Sequence, residues 1–92
     1  MKPSEILNKI KKENWIMFSY YDDSGTKFCF NGFIFNEILG NPEPYNGDDD
    51  MYEVYGNGGR MIHDLLADIN DGNSTFTEKK KLAIQFLERE GL

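Results

Sequence analysis

Large apolar residues recur at helical spacing in four parts of this chain, and stretches of Gly, Pro, Asn and Asp separate them. Ile6, Leu7 and Ile10 follow Pro3-Ser4-Glu5, which predicts a helix over about 4–13 with Ser4 as its N-cap. Phe33, Ile34, Ile38 and Leu39 cover one face of a second helix at about 31–39, ended by Gly40. Met61, Ile62, Leu65, Leu66 and Ile69 form the stripe of a third at about 60–70, stopped by Asn70-Asp71-Gly72-Asn73. The last helix opens at Thr75, with Glu78 at capping-box spacing and Thr77 as a competing cap. Leu82, Ile84, Phe86 and Leu87 are its core candidates, while Lys79 to Lys81 and Glu88 to Glu90 are expected to face water.

Two stretches depart from the helical period. Trp15 to Tyr21 is aromatic and strand-prone, and Asp22-Asp23-Ser24-Gly25 turns it toward Thr26 to Phe30, which predicts a β-hairpin with Gly25 at positive φ. Residues 41–50 hold Pro42, Pro44, Gly47 and three successive aspartates, and predict a surface loop. Met51 to Tyr55 fits a short strand or a helical turn equally well. The expectation is one α+β domain over residues 1–92, mainly α, with about four short helices packed around a small aromatic β-hairpin.

Charge narrows the function classes. The chain has a net charge of −6, and the acid is concentrated in the middle, where only Lys27 and Arg60 oppose a long series of Asp and Glu. Such a field repels polyanions, so neither DNA nor RNA is an expected partner. No apolar run approaches the roughly 20 residues of a membrane span, and the N-terminus does not lead into a secretory core, so no membrane association and a cytoplasmic location are expected. A lone Cys29 excludes an internal disulfide. So many aromatics on so short a chain predict a homo-oligomer.

With the elements placed, the order of landmarks resembles a family of small bacterial and phage domains of unknown function. The landmarks here are Asn14-Trp15, the Asp23-Ser24-Gly25 turn, Cys29-Phe30-Asn31-Gly32 as a Cys-x-x-Gly element opening a helix, Asn70-Asp71, and Thr75 to Thr77 leading the final helix. Phe33 stands where that family has alanine, and Ile69 where it has an aromatic. The resemblance implies a fold and no chemistry. In size and in lacking catalytic motifs the chain also resembles phage anti-defence proteins that sequester cyclic-nucleotide immune signals.

Four groups of residues carry candidate chemistry. Gly56-Asn57-Gly58-Gly59-Arg60 runs into a helix, whose unpaired N–H groups and positive end suit an anion, and Arg60 adds a planar fork for phosphate. Tyr20, Tyr21, Tyr55 and Trp15 are candidates to stack on a nucleobase. The function expected first is therefore non-catalytic binding of a phosphate-bearing, nucleotide-like ligand at Arg60, Gly58, Gly59, Asn57, Tyr55, Tyr20, Tyr21 and Trp15, with no cofactor, no metal and no catalytic residue.

The alternative is an acidic protein-interaction module, or an inhibitor of a host protein, using Asp48, Asp49 and Asp50. Third stands a cysteine-dependent enzyme with Cys29 as nucleophile, His63 as base and Asp64, Asp68 or Asp71 as orienter. Against that enzyme, a free cysteine between Phe28 and Phe30 more often behaves as a small buried hydrophobe. Neither a zinc motif nor an EF-hand pattern is present.

Overall fold

Asn70 carries the buried side chain that decides how the N-terminal third of this protein folds. A computed structural model describes residues 1–92, with α1 at Pro3–Leu7, α2 at Phe30–Leu39, α3 at Asp48–Tyr55, α4 at Gly59–Asn70 and α5 at Phe76–Arg89, and a 3-10 turn at Lys12–Asn14 between the first two. The expected α+β fold is corrected to an all-helical one. In place of a hairpin, residues 15–28 contribute two isolated bridges, pairing Phe28 with Trp15 and with Tyr21.

Side-chain hydrogen bonds, two of them to the distant end of α4, explain the missing strands. The Trp15 indole donates to Asn70 Oδ1 at 2.7 Å and Phe18 N to Asp71 Oδ1 at 2.9 Å, so this segment is tied to the end of α4 instead of to a neighbouring strand. Phe18 takes φ 64°, which breaks an extended path. At the tip, Gly25 has the expected positive φ of 72°. There Asp22 Oδ1 accepts from Thr26 N at 3.2 Å and Lys27 N at 3.1 Å, an Asx-type turn that consumes donors a ladder would need.

The helices expected at about 31–39 and 60–70 form, and Gly40 closes α2 at φ 78°. Thr75 caps α5, its hydroxyl accepting from Glu78 N at 3.2 Å. The first helix is shorter than expected, ending at Leu7. Ser4 lies inside it, not at its cap, and donates to Leu92 O at 2.9 Å. Residues 51–55 are helical because Asp48, Asp49 and Asp50 supply the negative first turn that a helix N-terminus favours. The Asp50 carboxylate also accepts from Asn46 N at 3.0 Å, so the loop expected at 41–50 ends at residue 47.

The core gathers Ile6, Leu7 and Ile10 from the N-terminus, Phe30, Ile34 and Phe35 from α2, Met51, Val54 and Tyr55 from α3, Ile62 and Leu66 from α4, and Ala83 and Leu87 from α5. α2 packs against α1, α3 and α4, while α5 closes over α1 and α4. Lys79 departs from its expected place. It is buried, and its Nζ donates to Asn70 O at 2.9 Å. No helix is long and apolar enough to cross a membrane.

Candidate functional site

Where the 15–28 segment crosses the last two turns of α4, it leaves a cavity of about 340 Å³. That is at the lower end of the range of small-molecule sites, roughly 300–1,000 Å³. Phe18, Ser19 and Tyr20 form one wall. Cys29 and Asn31 from the start of α2 form the floor, and His63, Ala67, Asn70 and Asp71 line the α4 side. Glu43 reaches in from the loop between α2 and α3. His63, Ala67 and Asn70 share a face because they recur at helical spacing.

His63 organises the deep side. Its Nδ1 lies 2.8 Å from Asp64 Oδ1 and its Nε2 2.8 Å from the Tyr20 hydroxyl. A carboxylate accepts only, so in the tautomer that satisfies both bonds the imidazole donates from Nδ1 to Asp64 and accepts at Nε2 from Tyr20. The Tyr20 phenol is held above its ordinary pKa by burial first, then by Cys29, Glu43 and Asp64, so it keeps the proton that it donates. The imidazole is stacked on Phe35, with interplanar angle 3° and centroids 6.0 Å apart. Behind it, Tyr55 donates to Asn31 Oδ1 at 2.6 Å and Asn31 Nδ2 to His63 O at 2.9 Å.

Cys29 and His63 do meet in this cavity, though not as a reactive pair. Both ring nitrogens of His63 are committed to Tyr20 and Asp64, and Cys29 Sγ caps α2 by accepting from Gly32 N at 3.3 Å. Burial raises the thiol from 9.0 to about 11, against the lowering effect of the Gly32 and Asn31 amides. At neutral pH it is a protonated thiol.

The remaining candidates scatter. Arg60 Nε donates to Asp48 Oδ1 at 2.7 Å on the surface, and that hydrogen bond, then the Asp48 charge, raises the guanidinium pKa further. Gly58 is the left-handed cap of α4 at φ 76°, and Asn57 is exposed beside it. Gly59 is buried against the α3 backbone: a Cβ there would lie 2.7 Å from Met51 C. Gly59 thus has a packing role between α3 and α4. Tyr55 is buried with its hydroxyl on Asn31, the Trp15 indole is held by Asn70, and Tyr21 lies on the surface outside the cavity lining. Of the stacking candidates, only Tyr20 lines the cavity. Among the three aspartates, Asp48 is paired with Arg60 and Asp50 caps the Asn46 amide.

Asn31, Glu43 and Asn70 were not among the candidates. Two of them had a signal in the sequence. Asn70 continues the buried spacing of Ile62 and Leu66, and Asn31 lies between Phe30 and Ile34, so each is a polar residue on an apolar face. Glu43, in a loop between two prolines, had none. The chain matches no protein-family model, no curated protein and no solved structure.

Proposed function

We propose that this protein binds a small ligand without transforming it, in the cavity between the 18–20 segment and α4. The observation that carries this reading is the cavity itself. Polar groups from α2 and α4 converge there with Tyr20, and each is held in place by hydrogen bonds of its own. The protonated thiol of Cys29 and the engaged nitrogens of His63 favour binding over nucleophilic chemistry.

A phosphate at Gly58-Gly59-Arg60 is the weaker version of this reading. It requires Arg60 to leave Asp48, and it lacks the stacking partner that Tyr55 was expected to supply. Sequestration of a signal molecule remains compatible with the cavity, with the base rather than the phosphate as the group enclosed.

The test is native mass spectrometry of the wild type purified from cells, beside an Ala67→Trp variant whose indole fills the cavity. Retention of a small-molecule mass by the wild type and its loss from a variant with unchanged circular dichroism is the expected result. If neither form retains a ligand, and a fragment panel shifts no amide resonance around Cys29, Ala67 and Asp71, ligand binding is overturned.

A further inference from the structure

Two acidic residues line the cavity, and no lysine or arginine lines it with them. Glu43 comes from the loop before α3, where its carboxylate meets Tyr21 and its charge raises that phenol and, after burial and Cys29, the Tyr20 phenol. Asp71 comes from the C-cap of α4, and neither takes part in an ion pair. Asp71 Oδ1 is occupied by Phe18 N at 2.9 Å and by Asn70 Nδ2 at 3.0 Å. Those two bonds fix the carboxylate and leave Oδ2 with no hydrogen bond from the protein.

Tyr20 shares this polarity. Tyr20 spends its proton on His63, because Asp64 holds the imidazole proton on Nδ1. Its phenol oxygen is therefore left as an acceptor. The cavity wall thus presents acceptors and negative charge, which complements a ligand rich in N–H donors and repels phosphate.

We propose that the ligand is a small organic cation, an alkylammonium or guanidinium compound, held by the carboxylates of Glu43 and Asp71 with the Tyr20 oxygen as a further acceptor. The proposal rests on ligand binding at this cavity and names its chemistry. A metal ion fits less well, since no three His, Cys, Asp or Glu side chains converge closely enough to hold one. A cation with donors spaced along a chain bridges carboxylates that arrive from two different elements. The net charge of −6 adds long-range attraction for such a ligand.

Calorimetry and amide-resolved NMR on the full chain provide the test, with agmatine, putrescine, guanidinium chloride and cyclic di-AMP as probes. Agmatine is expected to shift the amides of Cys29, Ala67 and Asp71, and to bind less tightly as salt is raised. Glu43→Gln, which keeps the shape and removes the charge, is expected to weaken agmatine at least about tenfold, the loss of one charge-assisted hydrogen bond. On the wild type, urea, the uncharged counterpart of guanidinium, is expected to bind at least about tenfold more weakly than guanidinium or agmatine for the same reason. Agmatine that binds equally well to Glu43→Gln, or no better than the neutral urea, overturns the proposal. Binding of cyclic di-AMP in this cavity without any amine binding overturns the cation and leaves ligand binding standing. Failure of every probe, together with no co-purified mass, removes both.

Discussion

The Trp15 indole N–H donates to Asn70 Oδ1 at 2.7 Å, and Phe30 N donates to the same oxygen at 3.0 Å. The Asn70 amide nitrogen in turn donates to Ile16 O at 3.1 Å and to Asp71 Oδ1 at 3.0 Å. One amide at the end of α4 thus holds the start of the 15–28 segment, the first residue of α2 and the orientation of a cavity carboxylate. Asn70 is 1% exposed, and its bond from Phe30 N is fully buried while the other three are partly so.

Removing that amide is expected to be costly. Asn70→Ala strands the Trp15 and Phe30 donors, and each buried unsatisfied group costs roughly 1–3 kcal/mol, so a loss of about 3–5 kcal/mol is predicted. Asn70→Asp keeps the acceptor but turns an oxygen toward Ile16 O and the Asp71 carboxylate, and is predicted to lose about 2–4 kcal/mol at neutral pH. Urea unfolding followed by Trp15 fluorescence measures both. A loss below about 1 kcal/mol in either variant is inconsistent with Asn70 as the organising residue.

Lys79, Lys80 and Lys81 are adjacent and chemically identical, yet their mutations are expected to differ. Lys79 is 2% exposed. Its Nζ meets Asn70 O at 2.9 Å and lies 4.9 Å from the Trp15 ring centroid, so the C-terminal carbonyl end of α4 and an aromatic face replace a carboxylate partner. Lys79→Ala is predicted to cost about 2–4 kcal/mol, through a cavity and an unpaired carbonyl. Lys81→Ala, on the exposed face, is predicted to stay within about 0.5 kcal/mol. Thermal or urea unfolding of the two variants side by side separates them.

Two glycines are fixed by close backbone approach. A Cβ on Gly32 would collide with Tyr20 O, and one on Gly59 with Met51 O. Neither obstacle is a flexible side-chain end. Gly32→Ala is predicted to displace the Tyr20 wall of the cavity and Gly59→Ala to separate α3 from α4, each costing about 1–3 kcal/mol. The contrast is Gly72→Ala, whose nearest neighbour would be 3.4 Å away, with a predicted change within about 0.5 kcal/mol. Denaturant midpoints for the three variants decide it.

The helices were legible where apolar period and cap agreed, as in α2 with Gly40 and α5 with Thr75. The hairpin was misread because strand propensity at Trp15 to Tyr21 is local, whereas the bonds that govern the segment come from Asn70 and Asp71, more than fifty residues away. Lys79 shows the same limit: nothing in Lys-Lys-Lys says which one meets the end of another helix. Trp15, Cys29, Gly32, Asn70 and Asp71 have separate physical roles: a donor, a cap, a close contact, an amide hub and an oriented carboxylate. The candidate site was legible only in parts, as Tyr20, Cys29, His63 and Asp71. Its negative polarity depends on Glu43, which is brought in by a loop with no periodicity to read.

Cys29 supplies a pH test of the cavity floor. Its thiol is raised from 9.0 to about 11 by burial, so between those values the unfolded chain has given up a proton that the folded chain retains. Stability from this group is therefore complete below pH 9 and falls as pH rises toward 11, by roughly 2–3 kcal/mol at about 1.4 kcal/mol per unit. Tyr55, raised above 10.0 by burial, adds a loss of the same sign from pH 10 upward. Cys29→Ala is predicted to flatten the first part of the decline and leave the second. In the wild type, alkylation by iodoacetamide should be slow at neutral pH and rise about tenfold per pH unit, levelling off only near pH 11. Rapid alkylation at neutral pH, with a midpoint below about 8 as in activated thiols, would remove the protonated thiol and restore Cys29 as a nucleophile.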